Sequence, residues 1–415
     1  KVKNPLEPVC VHVLSSSMRR LPLIVLFLLA GCQGWQKLTP PKPTRASAFH
    51  TNKLQLIDQA IGQARAAGEL PGGVLWMDHD GATFTKTYGR ISEQPKSAPA
   101  RPDALYDAAS LTKAFATTPA VLRLWEKDNL GLDDKVTKHI PKFAGNGRDT
   151  ITIRQLLTHT SGLRPDISLK GWDGHAECIA KCCAETPRHP PGKVFVYSDI
   201  NFQLLDEIVR RVSGKRLDIF CENEIFGPLK MTDTGYNPPA AKHDRIAPNT
   251  FEDGQWLRGT VHDPRARKTD GVAGHAGLFT TAPDLARFCR MLLNGGELDG
   301  VRMFKKETIA EWTRIQAPDM KDAKGRPARR ALGWDIDTVY SSPRGSHFPI
   351  GSFGHTGFTG TSAWIDPGSR TFVIFLCNRL HPDGKGSVVP LRRKIGTLAA
   401  EALRNHRFPP VPAQP

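Results

Sequence analysis

The stretch Ser110-Leu111-Thr112-Lys113 decides how this chain is interpreted. It opens a segment, residues 110–128, whose apolar residues recur at helical spacing, and Pro119 inside that segment predicts a kink or a break. A serine and a lysine three positions apart share one face of a helix. A lysine amine in a partly dry site can lose its proton and then take one from the serine. The motif is short and occurs by chance, so it needs support from the rest of the chain.

Two further groups of residues supply that support. Tyr197-Ser198-Asp199 lies in a predicted turn before a helix, and a phenol near a lysine ammonium can relay protons. His355-Thr356-Gly357 is predicted to enter a strand over residues 358–366, and its glycine lets the backbone approach a substrate closely. We expect the backbone N–H groups of Ser110 and Phe358 to form an oxyanion hole. The sequence therefore predicts a nucleophilic site built from three distant parts of the chain.

In order and spacing, the three motifs resemble those of the serine β-lactamase and penicillin-recognising DD-peptidase superfamily, on its class C and DD-carboxypeptidase-like side. Residues 153–163 and 271–279 are similar to the same superfamily, the second stretch to a subgroup of periplasmic and lipoprotein hydrolases. The resemblance runs from about residue 54 to residue 405. It implies an α+β, β-lactamase/transpeptidase-like fold with an antiparallel five-stranded sheet, flanking helices and an all-helical insertion.

The resemblance implies a two-step acyl transfer that uses no cofactor and no metal. Lys113 and Tyr197 share the deprotonation of Ser110, which attacks the scissile carbonyl, and water then clears the acyl-enzyme. The amides of Ser110 and Phe358 hold the oxyanion. The expected substrate-binding residues are Asp199, His355, Thr356 and Gly357.

Two positions depart from the family pattern. Asp199 stands where class C β-lactamases have an asparagine that donates to the substrate, and an ionised carboxylate cannot donate. His355 stands where most β-lactamases have lysine, and histidine is only partly charged near neutral pH. No deacylation glutamate of the class A type stands out. We therefore expect cleavage of D-Ala-D-Ala-type peptides, or of small esters or amides, rather than efficient β-lactam hydrolysis.

Three functions remain open on the sequence. The first is a serine acyl hydrolase acting on cell-wall peptides, β-lactams or small esters. The second is a penicillin- or muropeptide-binding envelope protein with little turnover, and the third is a catalytically silent scaffold. Intact Ser110, Lys113 and Tyr197 count against the third. We expect a monomer whose partner is a peptidoglycan-type peptide or a small acyl substrate.

The composition is that of a globular protein, with 39% hydrophobic and 24% charged residues over 415 positions. The net charge of +16 favours anionic surroundings. The basic residues are nevertheless scattered, and dense runs such as Arg392-Arg393-Lys394 are short. We therefore expect a basic surface and no nucleic-acid binding.

A lipoprotein signal is predicted near the start of the chain. Met18-Arg19-Arg20 is a basic start, an apolar stretch follows over residues 21–30, and Ala30-Gly31 precedes Cys32. This segment resembles a bacterial lipobox, which implies diacylation of Cys32 and removal of residues 1–31, with translation starting at Met18. Gln33 after the cysteine favours the outer membrane. We expect a periplasm-facing lipoprotein of the cell envelope, held to the membrane by a lipid on Cys32.

Four segments follow from these patterns. Residues 1–31 form the signal segment, of which 18–31 are the lipoprotein signal, and residues 32–46 form a proline-containing tether. Residues 47–408 form the hydrolase domain, and residues 409–415 form a disordered tail. Within the domain, the sheet part covers about 47–110 and 331–408, and the helical part covers about 111–330.

The cysteines and histidines outside the motifs receive structural roles. Six cysteines lie downstream of Cys32, and an even number in an oxidising compartment permits disulfides. His175, Cys178, Cys182 and Cys183 crowd together, but their spacing matches no zinc pattern. We expect disulfides or free buried thiols, and we expect His159 and His275 to fix loops near the cleft. The six cysteines are Cys178, Cys182, Cys183, Cys221, Cys289 and Cys377.

Overall fold

The computed structural model describes residues 44–404 and 406–409, which fold around an antiparallel sheet. The predicted signal segment, its Cys32 and most of the predicted tether and tail lie outside the described residues. The last residues of the predicted tether, Arg45 and Ala46, begin a short helix for which Thr44 is the N-cap. No helix in the described part of the chain is both long enough and apolar enough to cross a bilayer.

The described chain contains both strands and helices. The strands are β1 (Gly72–His79), β2 (Ala82–Ser92), β3 (Ala98–Pro99), β4 (Tyr106–Asp107), β5 (Gly235–Tyr236), β6 (Phe251–Glu252), β7 (Gln255–Trp256), β8 (Leu278–Thr280), β9 (Glu297–Leu298), β10 (Val301–Arg302), β11 (Arg329–Arg330), β12 (Asp335–Asp337), β13 (Phe353–Thr356), β14 (Ser362–Asp366) and β15 (Thr371–Cys377).

The helices are α1 (Arg45–Ala48), α2 (Thr51–Ala66), α3 (Thr118–Glu126), α4 (Val136–His139), α5 (Ile153–Leu157), α6 (Gly174–Ala184), α7 (Asp199–Ser213), α8 (Leu217–Cys221), α9 (Pro264–Lys268), α10 (Ala282–Leu293), α11 (Lys306–Thr313) and α12 (Val389–Ala402). Two π-helical turns, Lys113–Thr117 and Glu222–Phe226, and three short 3₁₀ turns complete the described elements.

One antiparallel sheet of eight strands dominates the described residues, in the order β11-β12-β13-β14-β15-β1-β2-β3. Its strands come from residues 72–99 and 329–377, so two distant stretches of the chain build it together. The α+β prediction is confirmed, whereas the predicted number of five strands is corrected to eight. The unpredicted strands include β3 and β11, which are two residues long and therefore show no alternation.

The central strands of this sheet are buried on both faces. Leu75 and Met77 of β1 belong to an apolar cluster with α2 and α12, whereas Val74 belongs to the larger cluster of the helical side and Trp76 packs against that larger cluster. Successive side chains of a strand point to opposite faces, so a strand covered on both sides must be apolar throughout. The turn between β1 and β2 has positive φ at Asp80 (49°) and Gly81 (89°), and the residues His79-Asp80-Gly81 between two short apolar stretches predict this hairpin from the sequence.

The helix that begins after Ser110 is interrupted where the sequence predicts a break. Lys113–Thr117 is a π-helical turn, and α3 continues from Thr118 with Pro119 in its first turn. Proline has no N–H to donate, and its ring clashes with the carbonyl of the preceding turn. The extra residue of the π turn absorbs this mismatch and leaves Lys113 buried.

The cysteines are free buried thiols, which is the second of the two alternatives expected from the sequence. All six are free and buried, so no disulfide forms among them. Cys178, Cys182 and Cys183 lie on α6, a helix that the sequence analysis did not predict. No group of three or more His, Cys, Asp or Glu side chains in the described ranges is arranged to hold a metal ion.

Candidate active site

Ser110 stands at the end of a strained turn. The backbone of Ala109 has a φ of 47°, which costs a residue other than glycine about 1–3 kcal/mol. The buried Asp107 carboxylate accepts the N–H of Ala109 at 2.9 Å and that of His262 at 2.7 Å, which holds the turn in place. The helix starts at Leu111, as predicted for this motif.

Lys113 is buried directly beneath Ser110 and has three acceptors around its ammonium group. Nζ donates to Ser110 Oγ at 3.0 Å and to the carbonyl oxygen of His275 at 2.9 Å, and Asp199 Oδ1 lies 2.7 Å away. Burial lowers the pKa of Lys113, but Asp199 and Tyr197 outweigh burial, and the net pKa is raised. Asp199 and Tyr197 thus favour the ammonium form of Lys113, whereas burial alone would favour the neutral amine that the sequence analysis expects.

Tyr197 lies over the lysine and is oriented by a buried histidine. Its ring centre is 5.0 Å from Lys113 Nζ, and the His159 ring stacks on it with centroids 4.4 Å apart. His159 Nδ1 accepts the N–H of Ser198 at 3.0 Å. Burial, helped by the charges of Arg330 and Lys113, lowers the pKa of His159, so its ring is neutral. These contacts fit the loop-fixing role expected of His159.

Asp199 is the first residue of α7 and stands between the lysine and open space. Its N–H donates to the Pro165 carbonyl at 2.7 Å, and its side chain remains 22% exposed. The predicted turn before a helix is therefore observed, with Ser198 at the N-cap position. The second motif thus brings a phenol and a carboxylate to the same ammonium group.

The third motif ends a strand instead of entering one. His355 and Thr356 are the last residues of β13, and the next strand begins only at Ser362. A Cβ on Gly357 would lie 2.5 Å from the Ala108 carbonyl oxygen, so only glycine allows this connection to approach the turn before Ser110. Thr361 and Thr359 lock it there by donating to the carbonyls of Ala108 and Asp107.

This close approach places the amides predicted for the oxyanion hole on adjoining segments. Among the described residues, no acceptor binds the backbone N–H of Ser110 or of Phe358. Two unengaged amides beside a nucleophile match what an oxyanion requires.

His355 is neutral in this site. Its Nδ1 donates to the Thr356 carbonyl at 2.9 Å, and its buried Nε2 has no partner in the described ranges. Burial, together with the positive charges of Arg330 and Lys113, lowers the pKa of His355. The positive charge that a lysine would bring to this position is therefore missing from the histidine.

Arginines bring positive charge to that side of the site. A cavity of about 410 Å³, here called the arginine-lined cavity, is bounded by Arg330, Arg379 and Arg392 together with Ser110, Tyr197 and the third motif. Arg330 is buried 3.4 Å from Asp335, and its Nε and Nη2 have no partner among the described residues. Burial lowers the pKa of Arg392 only to about 10, so it stays charged.

A second cavity lies on the other side of Ser110. This carboxylate-lined cavity, of about 380 Å³, is bounded by Asp199, Asp263, His262 and His275. His275 Nε2 lies 3.0 Å from Asp263 Oδ1. Burial lowers the pKa of His275, but the Asp263 carboxylate outweighs this and raises it to about 9. His275 and Asp263 therefore form a charged pair at neutral pH.

Phe358 separates the two cavities. Its side chain is 60% exposed, and it lines both cavities, as Ser110 and Tyr197 do. His262 stacks on its ring at 5.6 Å, and the Arg379 guanidinium carbon lies 4.4 Å from its centre. The sequence analysis assigned only the backbone of Phe358 to the site and did not find its two neighbours.

Comparison with known proteins identifies the family. A sequence model described as Beta-lactamase matches residues 57–396. An N-acetylmuramyl-L-alanine amidase of Bacillus subtilis (strain 168) is 32% identical over 387 residues, which are 83% of this chain and 85% of that protein. A protein named "Putative D-alanyl-D-alanine carboxypeptidase" from Escherichia coli (strain K12) is 30% identical over 410 residues, which are 88% of this chain and 92% of that protein.

A solved structure gives the same picture of the fold. The penicillin-binding protein homologue from Caulobacter crescentus superposes with a TM-score of 0.67 at 22% identity, over 84% of this chain and 97% of that chain. The fold and the site thus define a serine hydrolase of β-lactamase/transpeptidase-like architecture. The chain belongs to the β-lactamase family.

Proposed function

We propose that this protein hydrolyses acyl substrates through an acyl-enzyme on Ser110, acting on D-Ala-D-Ala-type cell-wall peptides, β-lactams or small esters. The observation that carries the proposal is the contact of Lys113 Nζ with Ser110 Oγ at 3.0 Å, at the junction of two cavities. A hydroxyl bound to a buried ammonium and open to a cavity is a nucleophile that a substrate can reach.

The catalytic roles follow from the contacts of the Lys113 ammonium. In this proposal Tyr197 relays the proton of Ser110, and the ammonium, 5.0 Å from the centre of its ring, stabilises the negative charge that develops. The amides of Ser110 and Phe358 hold the oxyanion, and Tyr197 returns the proton to the leaving group. Water then hydrolyses the ester on Ser110.

The arginine-lined cavity supports a substrate that carries a carboxylate. Arg330, Arg379 and Arg392 outnumber the one carboxylate that lines it, Asp335. A guanidinium pairs well with a carboxylate, and a D-Ala-D-Ala-type peptide ends in one. In this proposal Thr356 and Gly357 line the peptide, while neutral His355 contributes a hydrogen-bond acceptor.

A second candidate is cleavage of an N-acetylmuramyl-L-alanine amide. The name and the 32% identity of the Bacillus subtilis relative favour it. Both substrates belong to the cell wall, so we also propose a periplasm-facing envelope lipoprotein, a monomer anchored through Cys32 in the outer membrane. Palmitate labelling of cells tests the anchor, because a Cys32→Ser variant must lose the label that the natural chain carries.

Replacing Ser110 by alanine tests the function itself. With the full chain, Ser110→Ala is expected to lower turnover of a p-nitrophenyl ester by at least about 10³-fold and to abolish labelling by benzylpenicillin. Intact-mass spectrometry and absorbance report the two effects, and Ser346→Ala, at an exposed serine, is the matched control. Persistent turnover in Ser110→Ala would exclude the mechanism, whereas a stable adduct without turnover in the natural chain would mean a penicillin-binding protein.

A further inference from the structure

Asp199 connects the carboxylate-lined cavity to the nucleophile. Its Oδ1 lies 2.7 Å from Lys113 Nζ, and the same Nζ donates to Ser110 Oγ at 3.0 Å. Carboxylate, ammonium and hydroxyl thus form an unbroken line of proton-transfer distances. The exposed part of the Asp199 side chain faces the cavity that Ser110 also lines.

The cavity has the polar lining that a water molecule needs. Asp199 and Asp263 offer carboxylate oxygens that accept hydrogen bonds. The buried Nδ1 of His275 has no partner among the described residues, and the imidazolium makes it a donor. A space of about 380 Å³ lined by these polar side chains suits ordered water.

We propose that Asp199 is the general base of deacylation and removes a proton from the water that attacks the acyl group on Ser110. The inference rests on the proposed function and assigns the step for which the sequence offers no glutamate. It gives Asp199 a different task from the asparagine found at this position in class C β-lactamases, because an ionised carboxylate accepts a proton and an amide does not.

The protons that move in this step pass only among the water, Asp199, Lys113 and Ser110. The water oxygen bonds to the acyl carbon while one of its protons passes to Asp199. The bond from the acyl carbon to Ser110 Oγ then breaks, and Oγ takes a proton from Lys113. Asp199 passes its proton to Lys113 across 2.7 Å. The products are a free acid and Ser110, with Lys113 again an ammonium and Asp199 again a carboxylate.

The two histidines and the second aspartate of the cavity suit this task less well. His275 is already protonated and held by Asp263. His262 is neutral, because burial lowers its pKa, but its Nε2 lies 4.0 Å from Glu252, a residue that does not line the cavity. Asp263 accepts from His275 and from two backbone amides of α9.

The isosteric variant Asp199→Asn tests the proposal with p-nitrophenyl acetate and the full chain. We expect a burst of about one p-nitrophenol per protein and then turnover at least about 100-fold slower than that of the natural chain. Intact-mass spectrometry should show the acetyl adduct accumulating in Asp199→Asn only. Asp166→Asn is the matched control, because Asp166 is a neighbouring carboxylate that does not line the cavity.

Chemical rescue gives a second, independent readout. In Asp199→Ala, added formate is expected to restore deacylation, because it supplies a carboxylate in the vacated space. The inference would be overturned if the burst rate and the steady-state rate fell together in Asp199→Asn, with no acetyl adduct, and if formate did not rescue Asp199→Ala. Asp199 would then only position Lys113. Unchanged turnover would overturn it as well. If Ser110→Ala kept its activity, the proposed function would fail instead.

Discussion

The two cavities beside Ser110 differ in how their charges are balanced. In the arginine-lined cavity, Arg330, Arg379 and Arg392 face a single lining carboxylate, Asp335. In the carboxylate-lined cavity each lining aspartate has a cation in contact, with Asp199 on Lys113 and Asp263 on His275. A surplus of one sign attracts a ligand of the other, whereas matched pairs hold protons ready for transfer. In the proposed function, the comparison therefore assigns substrate recognition to the first cavity and proton transfer to the second.

The largest effect expected from this comparison belongs to Lys113, which contacts Ser110 and lines neither cavity. Lys113→Met should lower kcat/KM by about 10³-fold or more, because the nucleophile and Asp199 lose their shared ammonium. The loss should be equal for a carboxylate-bearing peptide and for a neutral ester. Steady-state kinetics measures both, with surface Lys127→Met as the control. If kcat/KM fell only for the peptide, Lys113 would instead have a role in binding the substrate carboxylate.

The pair of His275 and Asp263 gives the second effect, on stability. Asp263 raises the pKa of His275 from 6.5 to about 9, so the stabilisation is complete below pH 6.5 and is lost as the pH rises through about 9. The free energy of unfolding should fall by about 3 kcal/mol more over this range than it does in His275→Gln. Urea unfolding between pH 6 and pH 10 measures the difference. Parallel curves for the two proteins would show that the pair is not charged.

The smallest effect concerns recognition in the arginine-lined cavity. Arg379 is half-buried and donates to the carbonyls of Phe358 and Gly386, so its guanidinium is fixed at the cavity wall. Arg379→Gln should raise KM about tenfold for a peptide with a free carboxylate and change it far less for the amide of that peptide. The exposed Lys385→Gln is the control for net charge. If KM changed equally for the peptide acid and for its amide, Arg379 would not bind the substrate carboxylate.

The sequence predicted the residues at the centre of the site better than those at its walls. Ser110, Lys113, Tyr197 and Asp199 lie in short motifs whose spacing carries chemistry, and the structure brings them together. Arg330 and Asp263 belong to no motif, and only the folding of β11 and α9 beside the motifs brings them near Ser110. Burial marks Arg330, and contact with His275 marks Asp263, and both features are set by tertiary packing.

Local pattern also misplaced one strand. The run 358–366 was predicted as a single strand that the third motif enters, whereas Phe358 is exposed and β14 starts at Ser362. Thr359 and Thr361 donate to backbone carbonyls near Ser110, and these bonds hold residues 357–361 as a loop between β13 and β14. β-branched residues favour strands by propensity, but these tertiary hydrogen bonds override that preference.

The pairing of β1 with β15 has a consequence for the order in which the protein is made. Gly73 lies opposite Cys377, so about three hundred residues separate the partners along the chain. A ribosome synthesises Ser110 long before it synthesises Phe358 and the strand that closes the sheet. Until β15 emerges, β1 has an open edge to which another chain can pair. A nascent chain therefore carries Ser110 without the Phe358 amide that is proposed to complete the oxyanion hole.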